Sequence, residues 1–173
     1  MIATPQALVT AVDADALKRA MRSLPAAISV VTAGIGDERN GATVTSAASF
    51  SMAPPTMMVS LNLSSSTWPV IRRHGHFCVN VLAADQRAVA DRFAGKGGIR
   101  GPARYAEAAW APMVTGALAL KGALASIDCE LEDVFERHSH ALLLGRVSAI
   151  TLGRGEALLY GDGRYGAFVR SEP

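Results

Sequence analysis

The sequence predicts a mostly β fold, an antiparallel barrel or sandwich carrying a few short helices. About seven short runs rich in Val, Ile, Leu and Thr read as strands, and only about three segments show helical spacing. The strands do not alternate with helices as β-α-β units would, which removes the parallel α/β architectures. Asp162-Gly163 sits between the last two runs and suits the tight turn of an antiparallel hairpin.

Taken in order, the first element is a short amphipathic helix. Asp13 is its N-cap, Leu17, Ala20, Met21 and Leu24 recur at helical spacing, and Pro25 ends it. "AISVVTA" at 27–33 is a strand, and "GIGDERNG" from Gly34 to Gly41 turns the chain back into a hairpin. The next stretch, "GATVTSAASFSMAPP", begins as a strand but offers Ala and Ser from Ser46 onward, where a strand prefers branched side chains. Two readings stand: a loop, or a wall kept small because something other than a side chain fills the space. "TMMVSLN" is a strand, "SSST" from Ser64 to Thr67 leads into a short helix "WPVIRRHG", and "FCVNVLA" at 77–83 is a strand again. Gln86 to Phe93 reads as a helix, followed by a Gly-rich basic loop, "AGKGGIRGPARY", expected to be mobile. In "SIDCELED" Ile127, Cys129 and Leu131 alternate with Asp128, Glu130 and Glu132, the pattern of a sheet with one face in water. "HALLLGRVSAITL" at 140–152 is a long strand, and "LLYGDGRYGAF" closes the chain as a pair of short ones.

The bulk properties narrow the function. The chain has 173 residues, 50% of them apolar, which fits one domain over residues 1–173 with residues 1–12 as a poorly ordered arm. A net charge of +2, from 17 basic and 15 acidic side chains scattered along the chain, argues against nucleic acid. No run approaches the roughly 20 apolar residues of a membrane span, and the acidic N-terminal segment does not resemble a signal peptide, so a cytoplasmic protein is expected. Cys78 and Cys129 each lie in an apolar run far from another Cys and read as buried free thiols.

Candidate chemistry is sparse. Ser66 or Thr67 is placed to cap the helix containing Pro69, as a structural cap or as part of an anion site. His74/His76 and His138/His140 would share a face if on strands, but neither pair has a third ligand at a convincing spacing, so no metal is assigned. There is no Gly-x-Ser-x-Gly nucleophile elbow, no Gly-x-Gly-x-x-Gly turn and no Walker loop.

The segments "GATVTSAASFSMAPPTMMVSLN", "SSSTWPVI", "FCVNVLAADQRAVADRFAG", "HALLLGRV" and "LLYGDGRYGAF", in that order from about Leu24 to Phe168, resemble the flavin reductase family with the FMN-binding split β-barrel. That family includes the reductase components of two-component flavin monooxygenases. The resemblance implies an antiparallel split β-barrel and a homodimer. It implies hydride transfer from NADH or NADPH to FMN or FAD, with reduced flavin passing to a separate monooxygenase. By position it assigns Thr43, Val44, Thr45 and Ser46 to the polar edge of the flavin ring, with Ser49, Phe50 and Ser51 beside them. Asn62, Ser65, Ser66 and Thr67 fall at the ribityl chain and phosphate, and Phe93 near the outer part of the cofactor. His140 stands where the family has the His of Gly-Asp-His, a nicotinamide contact, but here His138 and Ser139 replace the Gly and Asp. Tyr165 matches an aromatic bordering the ring. Arg100, Arg104 and Arg137 are candidates for a ribose phosphate. Hydride transfer needs two rings roughly 3–3.5 Å apart and no nucleophile, which fits the lack of a catalytic constellation. A flavin carrier or sensor without turnover, and a split-barrel oxidase acting on another substrate, are the alternatives.

Overall fold

The computed structural model describes Thr10 and residues 12–168; most of the N-terminal arm expected over 1–12 lies outside them. The strands are β1 (Ala26–Ala27), β2 (Ser29–Ala33), β3 (Asn40–Val44), β4 (Ala47–Met52), β5 (Pro55–Asn62) and β6 (His76–Val81), then β7 (Trp110–Pro112), β8 (Leu118–Leu120), β9 (Ala125–Arg137), β10 (His140–Leu152), β11 (Leu158–Gly161) and β12 (Arg164–Ala167). The α-helices are α1 (Ala14–Arg22), α2 (Trp68–His74) and α3 (Arg87–Phe93). The mostly β, antiparallel reading holds, with more strands than expected because β1, β7 and β8 are too short to leave a periodic signal and β4 is built largely of Ala and Ser.

Seven strands form one sheet in the order β3-β2-β6-β9-β10-β5-β4, every neighbour antiparallel. Its two edges, β3 and β4, are consecutive in the chain and joined only by Thr45 and Ser46. That link can span at most about 11 Å, so the sheet must curl until its edges nearly meet. The result is a barrel split between β3 and β4, and the small-residue stretch lies along that split.

The barrel is packed on both sides. Val31 and Ala33 of β2 pack with Val59, Phe77, Val79, Leu143 and the α2 residues Trp68 and Ile71. Ile28 and Val30 point the other way, to Leu82, Ala90, Phe93, Tyr105 and Leu158 beneath α3. All five β2 residues are therefore buried. The start of α1 is settled locally: the Asp13 carboxylate accepts from the Ala16 N–H (2.7 Å), the N-cap the sequence indicated.

One expectation about β9 requires correction. Asp128, read as water-facing, is fully buried, because the segment from Met113 to Leu120 covers that face of β9. Its carboxylate accepts from the Thr115 backbone N–H (2.8 Å) and hydroxyl (2.6 Å), so the loop supplies the partners this buried polar group needs. Neither His pair shares one strand: His76 begins β6 and His140 begins β10, while their partners lie outside those strands. His138 turns with φ 53° between β9 and β10, and His74 ends α2, where its Nε2 lies 2.8 Å from Glu38.

Cys78 and Cys129 are buried free thiols as expected, and burial raises both, Cys129 to about 12. His76 is buried with Nε2 unpartnered, and burial first, then the nearby His74, hold its pKa below the usual value, against the pull of Asp128. The unfolded chain protonates this residue near pH 6.5 while the fold resists it, so the unfolded state binds more protons and stability falls as pH drops through that window. Urea midpoints at about pH 7.5 and about pH 5.5 should fall less for His76→Gln than for the wild type. An equal fall in both would assign the acid sensitivity to other groups.

Candidate functional site

Two cavities open along the β3 side of the split and share Thr43 and Ala94 as a common wall, forming one trough with two lobes. One lobe, about 550 Å³, is lined by Thr43, Val44 and Thr45 on one side and by Arg87, Lys96, Tyr160, Arg164 and Tyr165 on the other. The second, about 500 Å³, runs from Ala42 and Thr43 to Ser64, Ser65 and Ser66, with Phe93, Arg100 and Arg104 opposite.

The β3 wall is held from behind. The Thr43 hydroxyl donates to the Ala90 carbonyl (2.6 Å), tying the strand to the last turn of α3, so Thr43 offers the trough its methyl and backbone. Gly41 must be glycine: a Cβ there would lie 2.6 Å from the Phe93 ring and 2.7 Å from the Val31 carbonyl oxygen. Phe93 is itself buried, edge-on to Tyr105 (5.0 Å between centroids) and tilted against Trp110 (5.4 Å).

The aromatic lobe is fixed by one carboxylate. Asp91 on α3 accepts from the Tyr165 hydroxyl (2.5 Å) and pairs with Lys96 (2.6 Å), while Arg87 lies 3.9 Å away. The Arg87 guanidinium stacks over the Tyr165 ring at 4.8 Å, and Tyr160 meets that ring edge-on at 5.5 Å. Asp91 is held below the usual carboxylate range by the hydrogen bonds from Lys96 and Tyr165, and Tyr165 is pushed up to about 12 by burial and by Asp91. Tyr165 stays neutral at physiological pH, a rigid polar-edged plane. Asp162 (φ 48°) and Gly163 (φ 75°) make the turn that brings β12 to this wall, as the Asp-Gly pair indicated.

The Gly-rich basic segment is ordered by short 3₁₀ turns at Lys96–Gly98 and Gly101–Tyr105. Positive φ at Gly95, Gly97 and Gly98 lets it reverse direction within a few residues. Tyr105 is buried and its hydroxyl donates to the Asn40 carbonyl (2.6 Å), so the segment is moored at its far end.

Among the residues singled out in the sequence, the fold brings Thr43, Val44, Thr45, Ser65, Ser66, Phe93 and Tyr165 to the trough. Ser46 instead donates to the Ser60 carbonyl (2.6 Å), and Asn62 accepts from the Ser64 N–H and hydroxyl in a local turn. Thr67 is fully buried and its hydroxyl makes no capping bond, which corrects the capping reading. Ser49, Phe50 and Ser51 lie on the edge strand β4, away from both lobes of the same chain. His140 is exposed at the start of β10, 2.9 Å from the Ser139 hydroxyl and opposite Asn62 in the ladder, beside the seryl turn but outside the lobes. Lys96, Arg87 and Arg164 were not foreseen; the basic character of the loop was the available signal only for Lys96. Among the described residues no group of three His, Cys, Asp or Glu side chains converges.

A family model described as "Flavin reductase like domain" matches residues 21–168. The chain belongs to the flavin reductase family. An FMN reductase (NADH), RutF 2, from Methylorubrum extorquens strain PA1 is 37% identical to this flavin reductase family member over 163 residues, covering 94% of each chain. An FMN reductase (NADH) RutF from Cronobacter sakazakii is also 37% identical, over 91% of this chain and 95% of its own. Among solved structures, the NADH:FAD oxidoreductase SgcE6 of Streptomyces globisporus C-1027 superposes with a TM-score of 0.86 at 28% identity, covering 96% of this chain and 100% of that one. BorF, the flavin reductase component of a bacterial two-component tryptophan halogenase, gives 0.83 at 30% identity, covering 92% and 100%.

Proposed function

We propose that this chain is an NADH-dependent flavin reductase that takes FMN or FAD into the two-lobed trough and supplies reduced flavin to a separate flavin-dependent monooxygenase. The observation that carries the reading is the trough itself. Its anion-seeking end, with Ser65, Ser66, Arg100 and Arg104, continues past the β3 edge into a lobe walled by Tyr165, Tyr160 and three cations. A phosphorylated chain bearing a flat ring system fits that sequence of surfaces. The names of the 37% identical relatives, both FMN reductases using NADH, support the same activity.

Bound flavin supplies the electron chemistry, accepting a hydride from a nicotinamide held against it. The chain then has to bind, orient and exclude water. The backbone groups of Thr43 to Thr45 border the ring edge, Tyr165 closes its far side, and Ser65 and Ser66 take the phosphate end. His140, at the sheet end next to the seryl turn, meets the nicotinamide nucleotide.

Two further readings belong with this one. Phe50 and Met52 on the edge strand β4 are 59% and 77% exposed, which supports a homodimer whose partner covers this edge and brings Ser49, Phe50 and Ser51 to the shared site. No helix among the described residues is long and apolar enough to cross a membrane, and the proposed nucleotide substrates are those of the cell interior, which supports a cytoplasmic location.

The test is to mix the purified protein with NADH or NADPH and excess FMN or FAD and follow nucleotide absorbance. NADH should be consumed only when flavin is present. Absence of flavin-dependent consumption with either nucleotide would leave a flavin carrier as the surviving reading.

A further inference from the structure

The aromatic lobe carries positive charge that nothing in its own wall balances. Arg87, Lys96 and Arg164 line it, and no Asp or Glu does. The carboxylate behind them is Asp91, whose Oδ1 meets both Lys96 (2.6 Å) and the Tyr165 hydroxyl (2.5 Å), while Oδ2 lies 3.9 Å from Arg87 Nε. Arg164 is exposed on β12 and, among the described residues, has no carboxylate within 4.0 Å. Three cations thus stand against one carboxylate. Lys18 with Asp15, Arg92 with Glu107 and Arg146 with Glu130 are by contrast matched one to one.

The surplus is gathered at one plane. The Arg87 guanidinium lies 4.8 Å and Lys96 Nζ 5.6 Å from the centre of the Tyr165 ring, and Arg164 is the residue before Tyr165 on β12. The seryl turn lines the other lobe, so a phosphate seated there leaves these cations facing the ring system. Reduction changes the charge of that ring system. NADH gives up a hydride, two electrons with one hydrogen nucleus, and becomes NAD⁺. The flavin ring, neutral when oxidised, takes the hydride and one net negative charge, which a solvent proton can later cancel. Cations beside the ring therefore act on the charge that develops as the hydride arrives and on the reduced product, and little on the oxidised ring.

We propose that Arg87, Lys96 and Arg164 make the trough selective for redox state, holding reduced flavin more tightly than oxidised flavin, with Asp91 limiting the preference as their shared counter-charge. This rests on the flavin reductase reading and assigns the cations of the ring lobe a part in the reaction. By linkage, tighter binding of the reduced form makes reduction of the bound flavin more favourable by the same ratio, which draws the hydride from NADH.

The experiment measures, without oxygen, the dissociation constants of oxidised FMN and of dithionite-reduced FMN for wild type, Arg164→Met, Lys96→Met and Asp91→Asn. Wild type should prefer the reduced form by about tenfold or more. Arg164→Met and Lys96→Met should each lower that ratio by about threefold, the size of one exposed charge interaction, mainly by weakening the reduced form. Asp91→Asn removes the negative charge, keeps an oxygen that accepts from Tyr165, and should raise the ratio. Arg164 stands outside the Asp91 cluster, so its arm decides the matter if Lys96→Met or Asp91→Asn misfolds. A wild-type ratio near one, or a ratio that Arg164→Met leaves unchanged, would overturn the proposal. Equal weakening of both redox forms would assign the cations to the phosphate and overturn it as well, as would a lowered ratio in folded Asp91→Asn. Failure of wild type to bind FMN in either state would instead overturn the functional reading on which it rests.

Discussion

Replacing Ala94 with Trp abolishes most flavin reduction while the protein remains folded. Ala94 follows α3, is exposed, and is one of the two residues shared by both lobes of the trough. An indole at that junction occupies the passage between the cationic-aromatic lobe and the seryl lobe, so a ligand spanning both must give up one of them. Loss of either end removes roughly 2–3 kcal/mol of binding, a fall of roughly a hundredfold in kcat/KM for the flavin. The fold should tolerate the change to within about 0.5 kcal/mol, because an exposed position has no core packing to lose. Steady-state kinetics with varied FMN, beside a urea titration of the same sample, separate the two effects. Wild-type kinetics in Ala94→Trp would mean that the flavin does not cross this junction. The small residues of β4 are a poorer place for that test: Ala47 packs against the barrel core and Ala48 is exposed on the outer edge.

Asn80→Ala destabilises the protein by about 4 kcal/mol, a large share of the 5–15 kcal/mol that holds an ordinary domain together. Asn80 is fully buried between the barrel and the β7–β8 hairpin. Its amide oxygen accepts from the Leu120 N–H (2.7 Å) and the Ser126 hydroxyl (2.8 Å). Its amide nitrogen donates to the Val30 carbonyl (3.1 Å) and lies 3.3 Å from both the Leu118 carbonyl and the Thr32 hydroxyl. Truncation leaves several buried groups without partners, each costing about 1–3 kcal/mol. The melting temperature should drop by about 10 °C in a chain of this size. Denaturant unfolding followed by far-UV circular dichroism measures the loss. A change under about 1 kcal/mol would show that neighbouring groups or water take over the network.

The β framework was legible because its signals are local. Alternation marked β9, the Asp-Gly pair marked the last hairpin, and Asp13 marked the first helix, each within a window of a few residues. Where a side chain's environment came from a distant segment, the local pattern misled. Asp128 looked like the wet face of a strand and is covered by a loop that includes Thr115. Thr67 looked like a cap, but its hydroxyl is buried without a partner, and the Thr67 N–H instead donates to the Ser65 hydroxyl. The segment after Phe93 looked slack, whereas Tyr105 and Arg104 anchor it to Asn40 and Gly41, more than sixty positions earlier.

The sequence by itself determined the fold class, the strand-forming runs, the buried thiols and the family resemblance, all of which depend on neighbours in the chain. Tertiary structure decided the rest of the stretch from Gly41 to Pro55. By curling a seven-stranded sheet until β3 and β4 meet across Thr45 and Ser46, it divided that stretch into a trough wall, Ala42 to Thr45, and an edge strand outside the trough, Ala47 to Met52. The opposite wall comes from Lys96, Arg104 and Tyr165. No periodicity links residues so far apart, and only closure of the sheet brings their charges and rings to one space.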